Sequence, residues 1–384
     1  MKVLFVLNSL APGGTERSTV VIAPRLRAHG IEPVIVTLKS AAYELDDEVQ
    51  RAGIPVRRLN PGGLLTRLRE LRATIRSEQP DIIHTALFEA DQLGRLAAWG
   101  TGVPVVSSLV STPYDRARLQ DPNVRRWRLR TVQMIDAITG RFLTARFHAV
   151  SEGTKQANAR ALRLPLNRIV VAERGRDTSK LGVRSPDRRA AVRASLGIGD
   201  DGPVVLSLGR LEHQKAQVDL IAATTALQKA YPDLTVLVAG KDGAASGAIR
   251  AALDADPATS KHVRLLGHRT DVGDLLCAAD ALAISSHFEG TAGVALEAMA
   301  LSTPIVSTDL EGLRGILIND VNALLVPRGE PPALASAIGH VLSEPDLANR
   351  LTERAKRDFD DRFTLDAAAE RMARLYEEVS RSPL

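Results

Sequence analysis

The stretch His287–Leu301 reads HFEGTAGVALEAMAL, and it organises the reading of the whole chain. Ahead of it runs Ala281-Leu282-Ala283-Ile284, a short apolar run with the character of a buried parallel strand. Gly290 and Gly293 loosen the backbone behind that strand, and Val294 to Leu301 is built from strong helix formers. Two acids, Glu289 and Glu297, stand eight residues apart across the turn. Glu289 falls in the loop at the strand's carboxyl end. Glu297 falls about one turn into the helix, with its Cβ tilted back toward the same loop. Open α/β sheets bind ligands at the carboxyl ends of their strands, so both acids are expected to face one ligand. An acid near a helix N-terminus is also favoured by the macrodipole alone, by roughly 0.3–1 kcal/mol. The residues around the pair separate the two readings.

At 384 residues the chain has room for roughly two to three domains, and its 45% apolar share is ordinary for a globular protein. A single cysteine, Cys277, allows no intramolecular disulfide and suits a reducing cytosol. The run Val3–Leu7 is too brief for a signal-peptide core, and no segment approaches the ~18 apolar residues of a membrane span. The expectation is a soluble, cytoplasmic protein. The net charge of +5 does not point to nucleic acid, because aromatics make up only 3% and leave few stacking platforms.

Taken in order, the chain alternates strand and helix. Lys2–Leu7 reads as a strand, followed by the turn-rich Asn8 to Gly14 and a helix from about Glu16 to His29 that Gly30 ends. Gly13-Gly14 thus sits at the crevice of a Rossmann-like unit, or is simply a tight turn; it lacks the glycine spacing of a dinucleotide fingerprint. Strands at 32–38, 54–58, 82–84 and 103–108, with helices at 63–79 and 91–99, complete an α/β first half. From Pro113 to Arg146 the pattern changes to arginines interleaved with Trp127, Met134, Ile135, Ile138 and Phe142. Such a basic amphipathic segment over 116–146 is either a docking surface for an anionic membrane or a solvated helix with one face in the core. The polar stretch 174–203, with little hydrophobic periodicity beyond one short helix, reads as the interdomain linker. Alternation then resumes, with strands at 204–208, 234–238, 263–266, 281–284, 304–306 and 323–326 and closing helices at 331–342, 346–359 and 364–380. Two Rossmann-like domains in tandem make an interdomain cleft the expected binding site.

In the second half, Gly209-Arg210 and Lys215 bracket the first strand-to-helix turn. Two cations beside helix N-terminal amides suit a diphosphate, with Arg supplying a planar fork and Lys a mobile point charge. Two solvated surface cations would look the same in isolation. Glu297 is then placed to accept hydrogen bonds from ribose hydroxyls, which leaves Glu289 for the sugar end. Asp254-Ala-Asp256 and Asp358-Phe-Asp360 spell acidic pairs but lie in or beside helical stretches. No histidines show metal-ligand spacing, and no metal or cofactor is expected. His84 and His148 read as structural.

Gly209-Arg210…Lys215, Glu289-Gly290…Glu297-Ala298-Met299-Ala300, Pro304-Ile305-Val306, Asn322 to Pro327 and the opening Gly13-Gly14-Thr15-Glu16 resemble a family GT4 retaining glycosyltransferase of GT-B fold. The resemblance spans essentially the whole chain and is best in 204–345. It implies an α/β GT-B fold of two Rossmann-like domains facing a cleft. An acceptor-binding domain would cover 1–178, a nucleotide-sugar-binding domain 179–363, and a last helix in 364–384 would cross back to the first domain. It implies Glu289, Arg210 and Lys215 as catalytic residues. Donor contacts would come from Gly14, Gly209, Arg210, Lys215, His268, Glu289, Gly290, Thr291, Ala292, Gly293 and Glu297. The partners implied are a nucleotide-sugar, with UDP as the base carrier, and a polysaccharide, lipid-linked or other saccharide acceptor, at the inner face of the membrane if 116–146 docks there. Transfer would proceed by front-face chemistry, the leaving phosphate helping to deprotonate the acceptor.

The sequence departs from the family pattern in three places. Glu289-Gly290-Thr291-Ala292 stands where the family often has E-G-F-G, Val110 where it has a first-domain histidine, and Gly315 where a Gly-x-x-Glu motif would end. These changes keep open a second reading, a GT-B scaffold that binds nucleotide or a partner glycosyltransferase without turnover. A sugar-nucleotide epimerase of the same fold is a third, but the acids and histidine it would need are not seen.

Overall fold

The structure, a computed structural model, describes all residues except 12, 116–117, 120–123, 200–201, 291–292 and 382–384. The chain forms two compact units, residues 1–176 with 362–384, and residues 177–361.

The first unit runs β1 (Lys2–Leu7), α1 (Gly14–Leu26), β2 (Glu32–Thr37), α2 (Asp46–Arg51), β3 (Val56–Arg58), α3 (Leu64–Glu78), β4 (Ile82–Ala86), α4 (Phe88–Ala98), β5 (Val105–Leu109), α5 (Arg126–Leu143), β6 (Arg146–Ala149), α6 (Glu152–Leu162) and β7 (Ile169–Val171). Its seven-stranded sheet has the order β3-β2-β1-β4-β5-β6-β7, and its paired strands are parallel. The strand order reverses between β1 and β4, and the Gly13-Gly14 loop follows β1 at that switch point. The C-terminal helix, Leu365–Arg381, belongs to this unit. Its buried residues Ala369, Met372, Ala373, Tyr376 and Val379 recur at helical spacing and share a core with Val20, Ala23 and Leu26 of α1. Each large apolar side chain buried this way is worth roughly 1.5–3 kcal/mol. The chain reaches this helix beside residues 173–176: Arg176 N–H donates to the Phe363 carbonyl at 2.9 Å. A Cβ on Gly175 would lie 2.4 Å from the Thr364 carbonyl oxygen, so only glycine permits the approach.

The second unit runs α7 (Pro186–Ser195), β8 (Val204–Leu208), α8 (Gln217–Ala230), β9 (Thr235–Ala239), α9 (Ser246–Ala255), α10 (Pro257–Ser260), β10 (Val263–Gly267), α11 (Val272–Ala278), β11 (Ala281–Ile284), α12 (Gly293–Ala300), β12 (Ile305–Thr308), β13 (Leu324–Val326), α13 (Pro331–Ser343) and α14 (Pro345–Arg362). Its six-stranded sheet has the order β10-β9-β8-β11-β12-β13 and is also parallel. Both sheets are the doubly wound kind, with buried strands fed by helices. The architecture is GT-B.

The stretch 174–203 is not simply a linker, because α7 lies within it and packs on the second unit. Its inward side chains are arginines, so little apolar periodicity marks it. Arg193 is buried, donates to the Ala278 carbonyl at 3.0 Å, and pairs with Asp280 at 2.7 Å. Arg189 meets the other oxygen of the same carboxylate at 2.5 Å. The helices α2, α9, α10 and α11 and the short strand β7 were also not marked in the sequence; each is brief and fixed by packing more than by propensity.

Candidate active site

Three glycines set the floor of the site, at the carboxyl ends of β8, β9 and β10. Gly209 has φ +150°, a conformation side-chained residues rarely adopt. Its N–H donates to the Ala239 carbonyl at 3.0 Å, and Gly240 N–H donates to the Gly267 carbonyl at 2.8 Å. A Cβ on Gly240 would lie 1.9 Å from the Gly209 carbonyl oxygen, so the two backbones touch. Gln217, buried at the start of α8, reaches back and donates to the Arg210 carbonyl at 3.1 Å. The turn carrying Arg210 is thereby fixed, while the Arg210 side chain is 72% exposed and only 3.9 Å pairs it with Glu212.

Lys215 closes a short 3-10 turn, His213–Lys215, and Ala216 behind it takes a left-handed conformation, φ +46°. A non-glycine residue there costs on the order of 1 kcal/mol. From this turn the Lys215 ammonium meets the Glu289 carboxylate. Ser286 Oγ donates to the same carboxylate oxygen at 2.9 Å, and Gln214 Nε2 donates to the Phe288 carbonyl at 2.8 Å. His287 N–H donates to the Gln214 carbonyl at 2.8 Å, and Ser285 Oγ to that of Lys215 at 2.9 Å. The β11 loop and the β8–α8 turn are thus laced into one piece around a buried carboxylate. From the third side, a Cβ on Gly312 would lie 1.8 Å from the Glu289 carbonyl oxygen. An ammonium and a hydroxyl on the same carboxylate oxygen hold this buried acid in a fixed orientation.

The remaining expected residues fall as follows. Gly290 is buried behind Glu289, Gly293 opens α12, and Glu297 is half-buried one turn into that helix. Thr291 and Ala292 lie outside the described residues. Gly267 ends β10 with φ +64°, and His268 after it is exposed. Gly14 belongs to the other unit, at the first turn of α1. There a Cβ on Gly13 would meet the end of the Glu16 side chain at 2.3 Å, whereas a Cβ on Gly14 would meet no side chain within 4 Å. Val110 follows β5 directly and is half-buried. Gly315 has φ +87°, where a glutamate would be strained. Asp256 caps α10 through Thr259 N–H at 3.2 Å, and buried Asp358 accepts from Asn322 at 2.8 Å, so each acidic pair has a structural part. Among the described residues no cluster of three or more His, Cys, Asp or Glu side chains is arranged to hold a metal ion. No helix among them is long and apolar enough to cross a membrane.

Ser286, Gln214, Gln217 and Gly312 were not singled out in the sequence. Gly312 was noted only as the start of a broken motif. Ser286 lies only three residues from Glu289 but a serine at that spacing carries no signal by itself, whereas the Gln214 side chain finds its partners 74 or more residues away and Gln217 meets backbone carbonyls.

The first unit holds a second polar construction, a chain of side chains crossing the sheet face. His148 Nε2 lies 2.7 Å from the Ala172 carbonyl, which can only accept, so that nitrogen carries the proton. Nδ1 of the neutral ring then accepts from Ser108 Oγ at 2.7 Å, and Ser108 in turn accepts from His84 Nε2 at 2.6 Å. His84 Nδ1 is left to accept from the Tyr376 hydroxyl of the C-terminal helix. Burial pushes His148 down to about 4 and, with His148 beside it, His84 well below its usual range, so both rings are neutral at neutral pH. The chain of hydrogen bonds therefore has one fixed direction.

Comparison with known proteins agrees with this architecture. Residues 188–358 match the family model for glycosyl transferases group 1, and residues 12–180 that for glycosyltransferase family 4. The D-inositol 3-phosphate glycosyltransferase of Saccharomonospora viridis is 30% identical over 322 residues, 78% of this chain and 70% of that protein. The 2-deoxystreptamine N-acetyl-D-glucosaminyltransferase of Streptomyces fradiae is 28% identical across 93% of this chain and 89% of its own length. Among solved structures, Anabaena HepE in complex with UDP superposes with a TM-score of 0.85 at 21% identity, over 98% of this chain and 100% of that one.

Proposed function

The chain belongs to family 4 of the glycosyltransferases, and on that premise we propose that it transfers a sugar from a UDP-sugar to a saccharide or lipid-linked acceptor with retention of configuration. The observation that carries this reading is the Lys215–Glu289 pair, built into one rigid piece with the Gly209-Arg210 turn. In this reading Arg210 and Lys215 meet the donor diphosphate, His268 lies by the base, and Glu297 accepts from the ribose hydroxyls. Glu289, with the backbone of Gly290 and Gly293, lies at the transferring sugar. Gly14 is read as a further donor contact. A UDP complex of HepE supports the choice of base, and acceptors of the named relatives support a polar saccharide or cyclitol class.

The bond from the anomeric carbon to the β-phosphate oxygen breaks, and a bond to the acceptor oxygen forms on the same face. The acceptor's proton passes to the leaving phosphate oxygen, whose developing charge Arg210 and Lys215 offset. Glu289 orients both Lys215 and the sugar. Release of UDP from a panel of UDP-sugars, with and without candidate acceptors, tests the reading. Loss of release in Glu289→Ala supports it.

Val110, which stands directly after β5 without a titratable group, favours one alternative: a scaffold that binds nucleotide without turnover. Nucleotide-induced stabilisation with no UDP released from any donor would select it.

A further inference from the structure

The helix α5 turns its hydrophobic side outward. Trp127, Met134, Ile138 and Phe142 are between 53% and 74% exposed, and Ile135 is exposed beside them. At 3.6 residues per turn they form a stripe ~100° wide and ~22 Å long on an 18-residue helix. By the same spacing Arg126, Arg130 and Arg141 flank one edge of the stripe and Arg128 the other. Arg128 lies over the Trp127 ring, 5.3 Å from its centroid. The helix carries a single acid, Asp136, which is buried on the opposite face and pairs with Arg95 at 2.6 Å. The exposed face therefore presents apolar bulk between cations and no negative charge.

We propose that this face docks on an anionic lipid bilayer, with α5 lying in the interface plane. A contiguous apolar stripe of this length on a water-facing helix marks an interaction surface. Arginines on both edges with no interspersed acid match a uniformly negative plane; a protein partner of mixed charge would be matched by mixed charge. Apolar side chains then sink to the acyl boundary, and the guanidiniums stay at headgroup level. The opposite face is locked to the body of the unit by Arg95, Asp136 and the Tyr114 hydroxyl, which donates to Asp136 at 2.8 Å, so the helix docks without unfolding. This inference is independent of the donor chemistry proposed above, because vesicle binding is read without turnover.

The test is co-sedimentation of the full chain with phosphatidylcholine vesicles that contain or lack phosphatidylglycerol. The expected result is binding to the anionic vesicles only, weakening as salt rises. Arg125→Ala/Arg126→Ala/Arg128→Ala is expected to weaken binding on the order of 100-fold, about fivefold per arginine. Ile138→Ser/Phe142→Ser is expected to weaken it by roughly tenfold or more with thermal unfolding unchanged. Failure to bind anionic vesicles at low salt would overturn the proposal. So would binding that neither variant alters, or a dimer abolished by Ile138→Ser/Phe142→Ser in a chain that ignores vesicles, since a second copy would then cover the stripe.

Discussion

Lys215 and Glu289 lie 74 residues apart in sequence and form a direct ion pair, with Ser286 Oγ donating to the same carboxylate oxygen at 2.9 Å. Lys215 comes from the turn between β8 and α8, and Glu289 from the loop after β11, the neighbouring strand of the sheet. The pair therefore ties the cationic side of the site to its acidic side. A buried acid deprived of its paired cation must be desolvated without that compensation, which costs about 3–5 kcal/mol.

Replacing Lys215 by Ala is accordingly expected to lower both stability and turnover, whereas Arg210→Ala, at an exposed side chain, is expected to lower turnover alone. By comparison with the loss of one donor at a developing oxyanion, each should reduce the rate on the order of 10²–10³. Steady-state UDP release beside urea unfolding of both variants separates the two effects. Equal stability loss in both would contradict the geometry.

Gly312→Ala tests the third wall of the Glu289 cradle. The new methyl would lie 1.8 Å from the Glu289 carbonyl oxygen, a backbone atom with no rotamer to yield. The expected cost is roughly 1–3 kcal/mol, with a weakened donor-induced shift in unfolding temperature. Gly14→Ala should leave stability nearly unchanged, since no side chain lies within 4 Å of its Cβ. A donor affinity that also stayed unchanged would remove Gly14 from the site.

The pH response of the first unit follows from His148. Its folded pKa, pushed down to about 4 by burial, lies below the ordinary value of 6.5. As pH falls the unfolded chain takes up a proton first, so stability is full above pH 6.5 and is lost progressively toward pH 4. The loss is on the order of 3 kcal/mol. Asp91, raised by burial to about 7, acts in the opposite sense, its contribution present at low pH and fading as pH rises to 7. Comparison with His148→Gln at each pH cancels the Asp91 part, because the amide can still donate to Ala172 and accept from Ser108 but does not titrate. The variant's stability should depend less steeply on pH between 6.5 and 4. An identical slope would mean that His148 is not held neutral.

Beneath α5, Arg95 is 1% exposed and meets Asp136 at 2.6 Å. Arg95→Ala leaves a buried carboxylate beside the Tyr114 hydroxyl and should destabilise the chain by about 3–5 kcal/mol, read by urea unfolding. An effect under ~1 kcal/mol would place the pair in solvent.

Much of this was legible in the sequence, and the reasons are physical. Strands such as Lys2–Leu7, Val204–Leu208 and Ala281–Ile284 are buried on both faces, so their apolar runs are nearly unbroken and their limits are marked by glycine or polar residues. Glu289, Lys215 and Arg210 stood out because strand–turn–helix units place particular residue types at the carboxyl ends. The helix α7 was legible only as one short helix inside a linker, since arginine rather than leucine fills its inner face. The chain from Tyr376 through His84 and Ser108 to His148 was invisible for another reason. Its members come from β4, β5, β6 and the C-terminal helix, and only the strand order and the return of the last helix make them neighbours.

The central claim is that the Lys215–Glu289 unit belongs to a working donor site. The most direct measurement is UDP release from UDP-sugars by the parent chain and by Glu289→Gln, a change that keeps the shape and removes the charge, beside their UDP-induced shifts in unfolding temperature. At a UDP concentration of 100 times Kd, binding adds about 2.7 kcal/mol of stability. The account predicts release by the parent, loss of release in the variant, and a UDP shift in both. A parent shifted by UDP that releases none from any donor, or a variant that turns over as fast as its parent, would contradict it.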